Sequence, residues 1–218
     1  KMNGVSAGDL SGFSVSAAGD VNGDGIDDLI IGALGFGSRW SGADWGQSYV
    51  VFGKSSDFSA NLDLSTLNGS NGFTITGIDN YDHSGYSVSR AGDINNDGFD
   101  DVIIGARYAD PHGVDSGESY VVFGKNSSLS GFGTNLSLST LNGSNGFKIN
   151  GIAAYDHAGW SLNHAGDING DGIDDVIIAA PHADPNGSNS GQSYVVFGTN
   201  SGFASNFNLS SLNGSNGF

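Results

Sequence analysis

Oxygen-bearing side chains recur at alternate positions of the segment DVNGDGIDD, which begins at Asp20. The candidate ligands are four side chains and one backbone carbonyl: Asp20, Asn22, Asp24, the carbonyl of Ile26, and Asp28. A set of oxygen ligands without nitrogen or sulfur suits Ca²⁺, which takes about 6 to 8 oxygens and tolerates irregular geometry. The segment therefore predicts a calcium-binding turn.

The same segment occurs twice more, as DINNDGFDD and DINGDGIDD. The equivalent ligands are Asp93, Asn95, Asp97, the carbonyl of Phe99 and Asp101 in the second copy, and Asp167, Asn169, Asp171, the carbonyl of Ile173 and Asp175 in the third. Turns rich in Asp, Asn and Gly also cap their own backbone without binding a metal. Such crowding of carboxylates at fixed offsets is destabilising without a cation, so the sequence predicts three Ca²⁺ sites, one in each repeat.

The loop differs from an EF-hand, which needs a bidentate acid at its twelfth position and flanking helices. Isoleucine occupies the twelfth position in all three copies, inside a predicted strand. The acid at the ninth position therefore indicates a shorter loop that closes a β-hairpin. The acids at the eighth position are expected to point away from the ion and to be solvated or to cap turns. These acids are Asp27, Asp100 and Asp174.

Three copies of one unit make up the whole sequence, at residues 1–73, 74–147 and 148–218. The phrases SYVVFG and LNGSNGF recur in the same frame as the acidic segment. Together the units predict one repeat domain. The 37 glycines, and the lack of an apolar stripe with helical spacing, favour an all-β chain with many turns.

Each unit contains four short segments with strand patterns, at residues 12–20, 28–33, 48–53 and 72–77 in the first unit. The second and third segments are continuous apolar runs, which are typical of strands covered on both faces. The first and fourth segments alternate between inward and outward residues. A sheet whose inner strands need cover on both faces must stack against copies of itself.

Four strands per repeat, arranged radially, is the plan of a β-propeller. The predicted blades span roughly 11–77, 84–151 and 158–218, the last completed by residues 1–4 or by a neighbouring chain. Closure usually takes roughly 4 to 8 blades. Three blades therefore predict either part of a larger propeller or half of a six-bladed ring closed by a second chain.

Three phrases resemble FG-GAP repeats, the units of the integrin α-subunit β-propeller and of many bacterial surface proteins. They are GFSVSAAGDVNGDGIDDLIIGA, GYSVSRAGDINNDGFDDVIIGA and GWSLNHAGDINGDGIDDVIIAAP. The element that contains Phe and Gly corresponds here to Gly12-Phe13, Gly85-Tyr86 and Gly159-Trp160. The resemblance implies a propeller with calcium in the loops between first and second strands. It also implies an extracellular or cell-surface role in adhesion or ligand binding, in a protein of the bacterial type.

Charge and composition exclude several partners. The net charge of −16 repels nucleic acid and anionic membranes. No apolar run approaches the roughly 18 residues that a membrane span needs. The chain has no cysteine and therefore no disulfides. Because it begins with Lys1 and shows no secretory signal, we expect a segment of a longer or processed protein.

Ligand recognition is expected on the rim opposite the calcium loops, because variable loops on a rigid frame are where recognition usually occurs. The long loops of that rim carry Arg39, Trp40, Trp45, Tyr81, His83, Tyr108, His112, Tyr155, His157 and His182. They could contact a protein or glycan ligand, or they could wedge blades together and cap turns. A second metal site at His83 with His112, or at His157 with His182, is a third interpretation.

An enzymatic function is not predicted. GVSAG, at residues 4–8, matches the G-x-S-x-G pattern, but that motif needs a strand, a sharp turn and a helix. The sequence leaves a catalytic carboxylate pair open, although Glu118 is the only glutamate. The leading hypothesis is a calcium-stabilised, non-catalytic extracellular interaction or adhesion module. The alternatives are a self-assembling subunit of a surface layer or filament, and a carbohydrate-binding or accessory propeller of a secreted hydrolase.

The sequence is compatible with two kinds of association between repeat units. The module forms a homo-oligomer, or it packs against neighbouring repeats of the same parent chain.

Overall fold

A computed structural model describes residues 1–35, 45–129 and 131–218. Arg39 and Trp40 lie outside these residues. The strands are β1 (Met2–Asn3), β2 (Ser11–Gly19), β3 (Asp28–Ala33), β4 (Gln47–Val51), β5 (Leu62–Asp63), β6 (Gly72–Thr76), β7 (Ser87–Gly92), β8 (Asp101–Ala106), β9 (Glu118–Val122), β10 (Asn135–Ser137), β11 (Gly146–Asn150), β12 (Ser161–Gly166), β13 (Asp175–Ala180), β14 (Gln192–Val196) and β15 (Asn206–Asn208). Short 3-10 turns follow β5, β10 and β15, at Leu64–Thr66, Leu138–Thr140 and Leu209–Ser211.

The strands form one blade in each repeat. Blade 1 is the antiparallel series β2, β3, β4, β6, and blade 2 is the equivalent series β7, β8, β9, β11. Blade 3 contains β12, β13 and β14, with Gly217 and Phe218 paired to the end of β14. The prediction of an all-β fold built from four-stranded blades is confirmed.

Each of the first two blades also receives a fifth strand from the next repeat. β10 pairs in parallel with β6, and β15 pairs in parallel with β11. β1 pairs in parallel with β5, so that Met2 lies opposite Leu62. The strands β5, β10 and β15 are therefore equivalent. β10 extends the sheet of blade 1, β15 extends the sheet of blade 2, and β5 pairs with β1.

Apolar side chains from neighbouring blades form the core. Val88, Ile104 and Tyr120 of blade 2 pack in one cluster with Ile30 and Val50 of blade 1. A second cluster joins blades 2 and 3 in the same way. The continuous apolar runs of β3, β8 and β13 supply both faces of the inner strands, which is why they need a blade on each side.

Among the described residues, no helix is long and apolar enough to cross a membrane.

Candidate metal centres and the opposite rim

The first acid of each repeat organises the turn that joins the first two strands of a blade. The Asp20 carboxylate accepts hydrogen bonds from the backbone amides of Gly23 (2.8 Å), Asp24 (3.0 Å) and Gly25 (2.8 Å). Asp167 repeats all three contacts, and Asp93 repeats the last two. Gly25 has a φ of +85°, a conformation that favours glycine.

The second and third side chains of the ladder meet inside the same turn. Asn22 Nδ2 donates to Asp24 Oδ2 at 3.1 Å, and the Ile26 amide donates to Asp24 Oδ1 at 2.9 Å. The equivalent contacts recur around Asp97 and Asp171. The predicted Asp, Asn and Asp therefore lie together in one loop in all three repeats.

The ninth-position acid is a candidate ligand, and it is also buried and holds two backbone segments together through hydrogen bonds. Asp28 Oδ2 accepts from the Val21 amide (3.1 Å), and Asp28 Oδ1 accepts from the amide of Gly53, two residues after β4 (2.8 Å). Asp101 and Asp175 make the same pair of contacts. The carboxylate thus ties the turn to the third strand, a role that sequence reasoning missed.

Burial disfavours the charged form of Asp28 and Asp101 and so raises their pKa. Desolvation raises the pKa of Asp28 to about 7, against two backbone donors that lower it, and the charges of Asp24 and Asp20 raise it further. Desolvation also raises the pKa of Asp101 well above its ordinary value. Asn22 Oδ1 is buried and accepts no hydrogen bond from the described residues. A hard cation in the turn would satisfy this oxygen and neutralise the acids, so the residues fit Ca²⁺.

The predicted ligand sets combine carboxylates with other oxygen atoms. Within the described residues, no group of three or more His, Cys, Asp or Glu side chains is arranged to hold a metal ion. The predicted sets also include the amide oxygens of Asn22, Asn95 and Asn169 and one main-chain carbonyl each, which are not among those residue types.

The eighth-position acids were expected to be solvated or to cap turns, and the structure shows that two of the three cap a turn of the neighbouring blade and so link blades. Asp100 Oδ2 of blade 2 accepts from the Asp20 amide of blade 1 at 2.9 Å, and Asp174 Oδ2 of blade 3 accepts from the Asp93 amide of blade 2 at 3.1 Å. Asp27, in blade 1, is exposed. Each link therefore joins one acidic turn to the next.

Glycine makes room for these links. Gly19 has a φ of +73°, and a Cβ built on it would lie 2.2 Å from Asp100 Oδ2. The equivalent Cβ on Gly92 would lie 2.2 Å from Asp174 Oδ2. Both the backbone conformation and the close approach of the carboxylate therefore require glycine before the first acid of the turn.

An aromatic row lies on the opposite rim. Phe13 lies in β2, and Tyr86 and Trp160 immediately precede β7 and β12, with ring centroids 5.1 Å and 5.5 Å apart along the row. The Arg107 guanidinium lies 3.8 Å from the Tyr86 ring centroid and 3.9 Å from that of Trp160, and Arg107 Nη2 donates to Tyr108 Oη at 2.7 Å. The three rings therefore pack in a row across two blade boundaries, and Arg107 packs against the rings on either side of the boundary between blades 2 and 3.

The rim histidines contact backbone and rings. His112 Nδ1 donates to the Gly151 carbonyl at 2.7 Å, and His157 Nδ1 lies 3.2 Å from the Arg107 carbonyl. The His157 and His182 rings are 4.8 Å apart. These contacts favour the packing and capping interpretation over a second metal site.

Other rim aromatics face solvent. Tyr81 and Tyr155 are exposed, and both have a positive φ.

A polar cavity of about 400 Å³ opens on the same rim. Its lining includes the acids Asp79, Asp82, Asp110 and Glu118, together with Lys148 and Asn150. Burial raises the pKa of Asp82 to about 7, and the charges of Asp79 and Glu118 add to the shift. This cavity was not predicted from the sequence; glutamine occupies the position of Glu118 in the other two repeats, and this single difference is the signal that could have pointed to it.

Radially stacked blades with an acidic turn between their first and second strands define a propeller-type repeat protein. Residues 11–51, 84–122 and 158–196, more than half of the chain, match the FG-GAP repeat family. The chain therefore belongs to the FG-GAP repeat family, and the resemblance seen in the sequence is confirmed.

Curated relatives include two integrin chains and one enzyme. The chain is 31% identical to Integrin alpha pat-2 of Caenorhabditis elegans over 182 residues, which is 79% of this chain and 13% of the relative. It is 30% identical to Integrin alpha-IIb of Mus musculus over 183 residues, 83% of this chain and 16% of the relative. It is 29% identical to Phosphatidylinositol-glycan-specific phospholipase D of Dictyostelium discoideum over 192 residues, 82% of this chain and 19% of the relative. The chain spans less than a fifth of the length of each.

Proposed function

We propose that this chain is a calcium-stabilised, non-catalytic interaction module of an extracellular or cell-surface protein. One observation carries the proposal: the same acidic turn, with a buried aspartate behind it, recurs in all three blades. Each turn would hold one Ca²⁺ through the residues named in the sequence analysis, from Asp20 to Asp28, Asp93 to Asp101 and Asp167 to Asp175.

The position of the turns supports a structural role for the ion. Each turn joins two strands of a blade, and its buried aspartate holds the end of a third strand. An ion there would link three strands in a chain that has no disulfides. Extracellular calcium modules bind with dissociation constants of about 10⁻⁴ to 10⁻³ M, which suits a module that remains calcium-loaded outside the cell.

The opposite rim supports the interaction role. It carries the aromatic row and the polar cavity lined by Asp82 and Glu118. Two relatives are named as integrin alpha chains, which favours an interaction role over catalysis. The partner would be a protein or a glycan.

Calcium removal tests the proposal. Because an ion that binds only the folded chain stabilises it by about 1.4 kcal/mol per site at ten times the dissociation constant, millimolar calcium should raise the melting temperature above that in chelator. Elemental analysis should find three Ca²⁺ per chain, and Asp24→Ala, Asp97→Ala and Asp171→Ala should each remove one. Asp57→Ala, an exposed acid outside the turns, is the matched control and should keep all three. An unchanged melting temperature with no bound ion would refute the calcium sites.

A further inference from the structure

The acidic turns contact one another along the row of blades. Turn 1 is residues 20–28, turn 2 is residues 93–101 and turn 3 is residues 167–175. Hydrogen bonds join turn 1 to turn 2 and turn 2 to turn 3. Among the described residues, none joins turn 1 to turn 3. The turns therefore form two neighbouring pairs and one pair that is not in contact.

Two consecutive residues of turn 2 contact turn 1 directly. A Cβ built on Gly23 would lie 2.5 Å from a ring carbon of Phe99, so this ring lies against the backbone of turn 1. The Asp100 carboxylate accepts from the Asp20 amide at 2.9 Å, and the Asp100 amide donates to the Asp20 carbonyl at 3.3 Å. The end of turn 2 thus holds both the start and the middle of turn 1.

The next residue of turn 2 acts on turn 1 through the segment that follows β9. Asp101 Oδ1 accepts from the Gly124 amide at 2.8 Å. The following amide, that of Lys125, donates to the Val21 carbonyl at 2.9 Å. Asp101 therefore positions turn 1 through two consecutive backbone amides.

Blade 3 makes the same contacts with turn 2. Asp174 Oδ2 caps the first amide of turn 2 at 3.1 Å. Asp175 Oδ1 accepts from the Gly198 amide at 2.9 Å, and the Thr199 amide donates to the Ile94 carbonyl at 2.9 Å. The connection between neighbouring turns is therefore a property of the repeat.

Several of the connecting residues are also predicted calcium ligands. The Phe99 carbonyl and the Asp101 carboxylate belong to the predicted ligand set of turn 2, and Asp100 lies between them in the chain. On turn 1 the predicted ligand Asn22 is 2% exposed, and its Oδ1 accepts no hydrogen bond from the described residues. Its main-chain carbonyl accepts from the Ser127 amide, in the segment after β9, at 2.9 Å. Ordering the ligands of turn 2 therefore orders the groups that hold the ligands of turn 1.

We propose that calcium binding is positively cooperative between neighbouring turns. With an ion bound in turn 2, residues 99–101 would be fixed, and these residues hold the backbone of turn 1 in its ligand-binding conformation. Because coupling between two sites is reciprocal, an ion in turn 1 strengthens binding in turn 2 by the same factor. Couplings of this kind change affinity by about 5- to 150-fold. The inference rests on the calcium sites of the proposed function.

Repulsion between the ions acts in the opposite direction. Each predicted ligand set contains three carboxylates against the two charges of Ca²⁺, so a loaded turn keeps a net negative charge. Interactions between exposed charges are screened over about 8 Å at physiological ionic strength. The backbone contacts between turns are not screened in this way, so we expect them to decide the sign of the coupling.

Three single substitutions each leave two working turns. Asp171→Ala leaves the neighbouring turns 1 and 2, and Asp24→Ala leaves the neighbouring turns 2 and 3. Asp97→Ala is the matched control, because it leaves turns 1 and 3, which are not in contact. The three aspartates are equivalent and exposed, and their carboxylates accept hydrogen bonds from their own turns.

The glycine at the sixth position reports on each turn separately. The amides of Gly25, Gly98 and Gly172 each donate to the first acid of their own turn, so their NMR signals should shift when that acid binds an ion. Titration with calcium chloride at about 0.15 M salt gives one curve for each turn. Each pair of curves, fitted to two coupled sites, gives a coupling factor. We expect a factor of about five or more for both neighbouring pairs and of about one for turns 1 and 3.

A second substitution tests the contact itself. Asp100→Ala, added to Asp171→Ala, removes the carboxylate that caps turn 1 and should lower the coupling factor between turns 1 and 2. Asp174→Ala in the same background removes the equivalent carboxylate of blade 3, which caps turn 2 and not turn 1. It is the control and should keep that factor.

The outcomes separate the cooperativity from the calcium sites. Glycine signals that shift with a coupling factor of one or less in the neighbouring pairs would overturn the cooperativity and leave the calcium sites standing. Equal factors above one in all three pairs would also overturn it, because they indicate coupling through folding of the whole chain. Glycine signals that do not shift with calcium would refute the sites and the cooperativity together.

Discussion

The Asp100 carboxylate of blade 2 accepts a hydrogen bond of 2.9 Å from the backbone amide of Asp20, the first residue of the acidic turn in blade 1. A side chain of one turn therefore fixes the backbone of the turn beside it. Asp174 and Asp93 repeat the relationship one blade further on. The acidic turns are thus connected in a row along the blades, so that loss of one link should weaken the packing of two blades.

Removal of this link should destabilise the chain. Asp100→Ala leaves the Asp20 amide without its acceptor, and hydrogen bonds to charged groups contribute about 1.5 to 3 kcal/mol. We expect a decrease of that size in the free energy of unfolding, measured by urea denaturation in saturating calcium. Asp100→Asn keeps an acceptor oxygen and should recover part of the loss. Asp57→Ala removes a comparable exposed charge and should have little effect; an equal loss there would point to net charge as the cause.

Substitution of the glycine beneath the same carboxylate should cost more than the backbone conformation explains. Gly19→Ala introduces a Cβ 2.2 Å from Asp100 Oδ2 at a φ of +73°. Gly202→Ala is the matched control, because its φ is +84° and no described atom lies within 4 Å of the added Cβ. Both variants should lose roughly 1 kcal/mol from the left-handed conformation. Only Gly19→Ala should lose more in urea denaturation, and equal losses would contradict the steric role of Asp100.

Much of the blade could be predicted from the sequence because burial on two faces leaves a direct signal. The runs LIIGA and VIIGA are apolar throughout, and they became the inner strands β3 and β8. The fifth strand of each sheet could not be predicted in this way. β10 is three residues long, lies at the edge and mixes polar with apolar residues, so neither its length nor its periodicity distinguishes it from a loop.

The acidic turn could be located from the sequence, but the separate roles of its acids could not. Position in the turn does not show that Asp28 faces the core or that Asp100 reaches another blade, because both depend on packing between strands distant in sequence. The rim cavity could not be predicted from the sequence for the same reason. Its walls come from the β6–β7 and β8–β9 loops and from β9, β11 and β15, and in the sequence only the change from glutamine to Glu118 distinguishes the repeat that contains it.

The buried acid of the cavity should make stability depend on pH. Burial raises the pKa of Asp82 to about 7 from an unfolded value of 3.8, so between these values the folded chain holds a proton that the unfolded chain has lost. The contribution of Asp82 to stability is therefore full below pH 3.8 and decreases as the pH rises to about 7.

Asp82→Asn should remove this dependence. The difference in unfolding free energy between variant and wild type, measured in urea with saturating calcium, should shift in favour of the variant from pH 4 to pH 7. Glu118→Gln, which restores the residue of the other two repeats, should weaken the same dependence because the charge of Glu118 raises the pKa of Asp82. Parallel stability curves for wild type and Asp82→Asn would contradict the assignment.

Arg107 should stabilise the contact between blades 2 and 3 through its flat guanidinium. It lies 3.8 Å from the Tyr86 centroid in blade 2 and 3.9 Å from the Trp160 centroid in blade 3. Cation–π contacts contribute about 0.5 to 2 kcal/mol each, so Arg107→Ala should lower the free energy of unfolding by about 1 to 2 kcal/mol. Arg107→Lys should restore little, because an ammonium cannot stack between two rings. The Trp160 fluorescence should change in both variants, whereas Arg90→Ala, which removes the arginine beside His164, should leave it unaltered. Full recovery in Arg107→Lys would show that charge alone, and not stacking, holds the rings together.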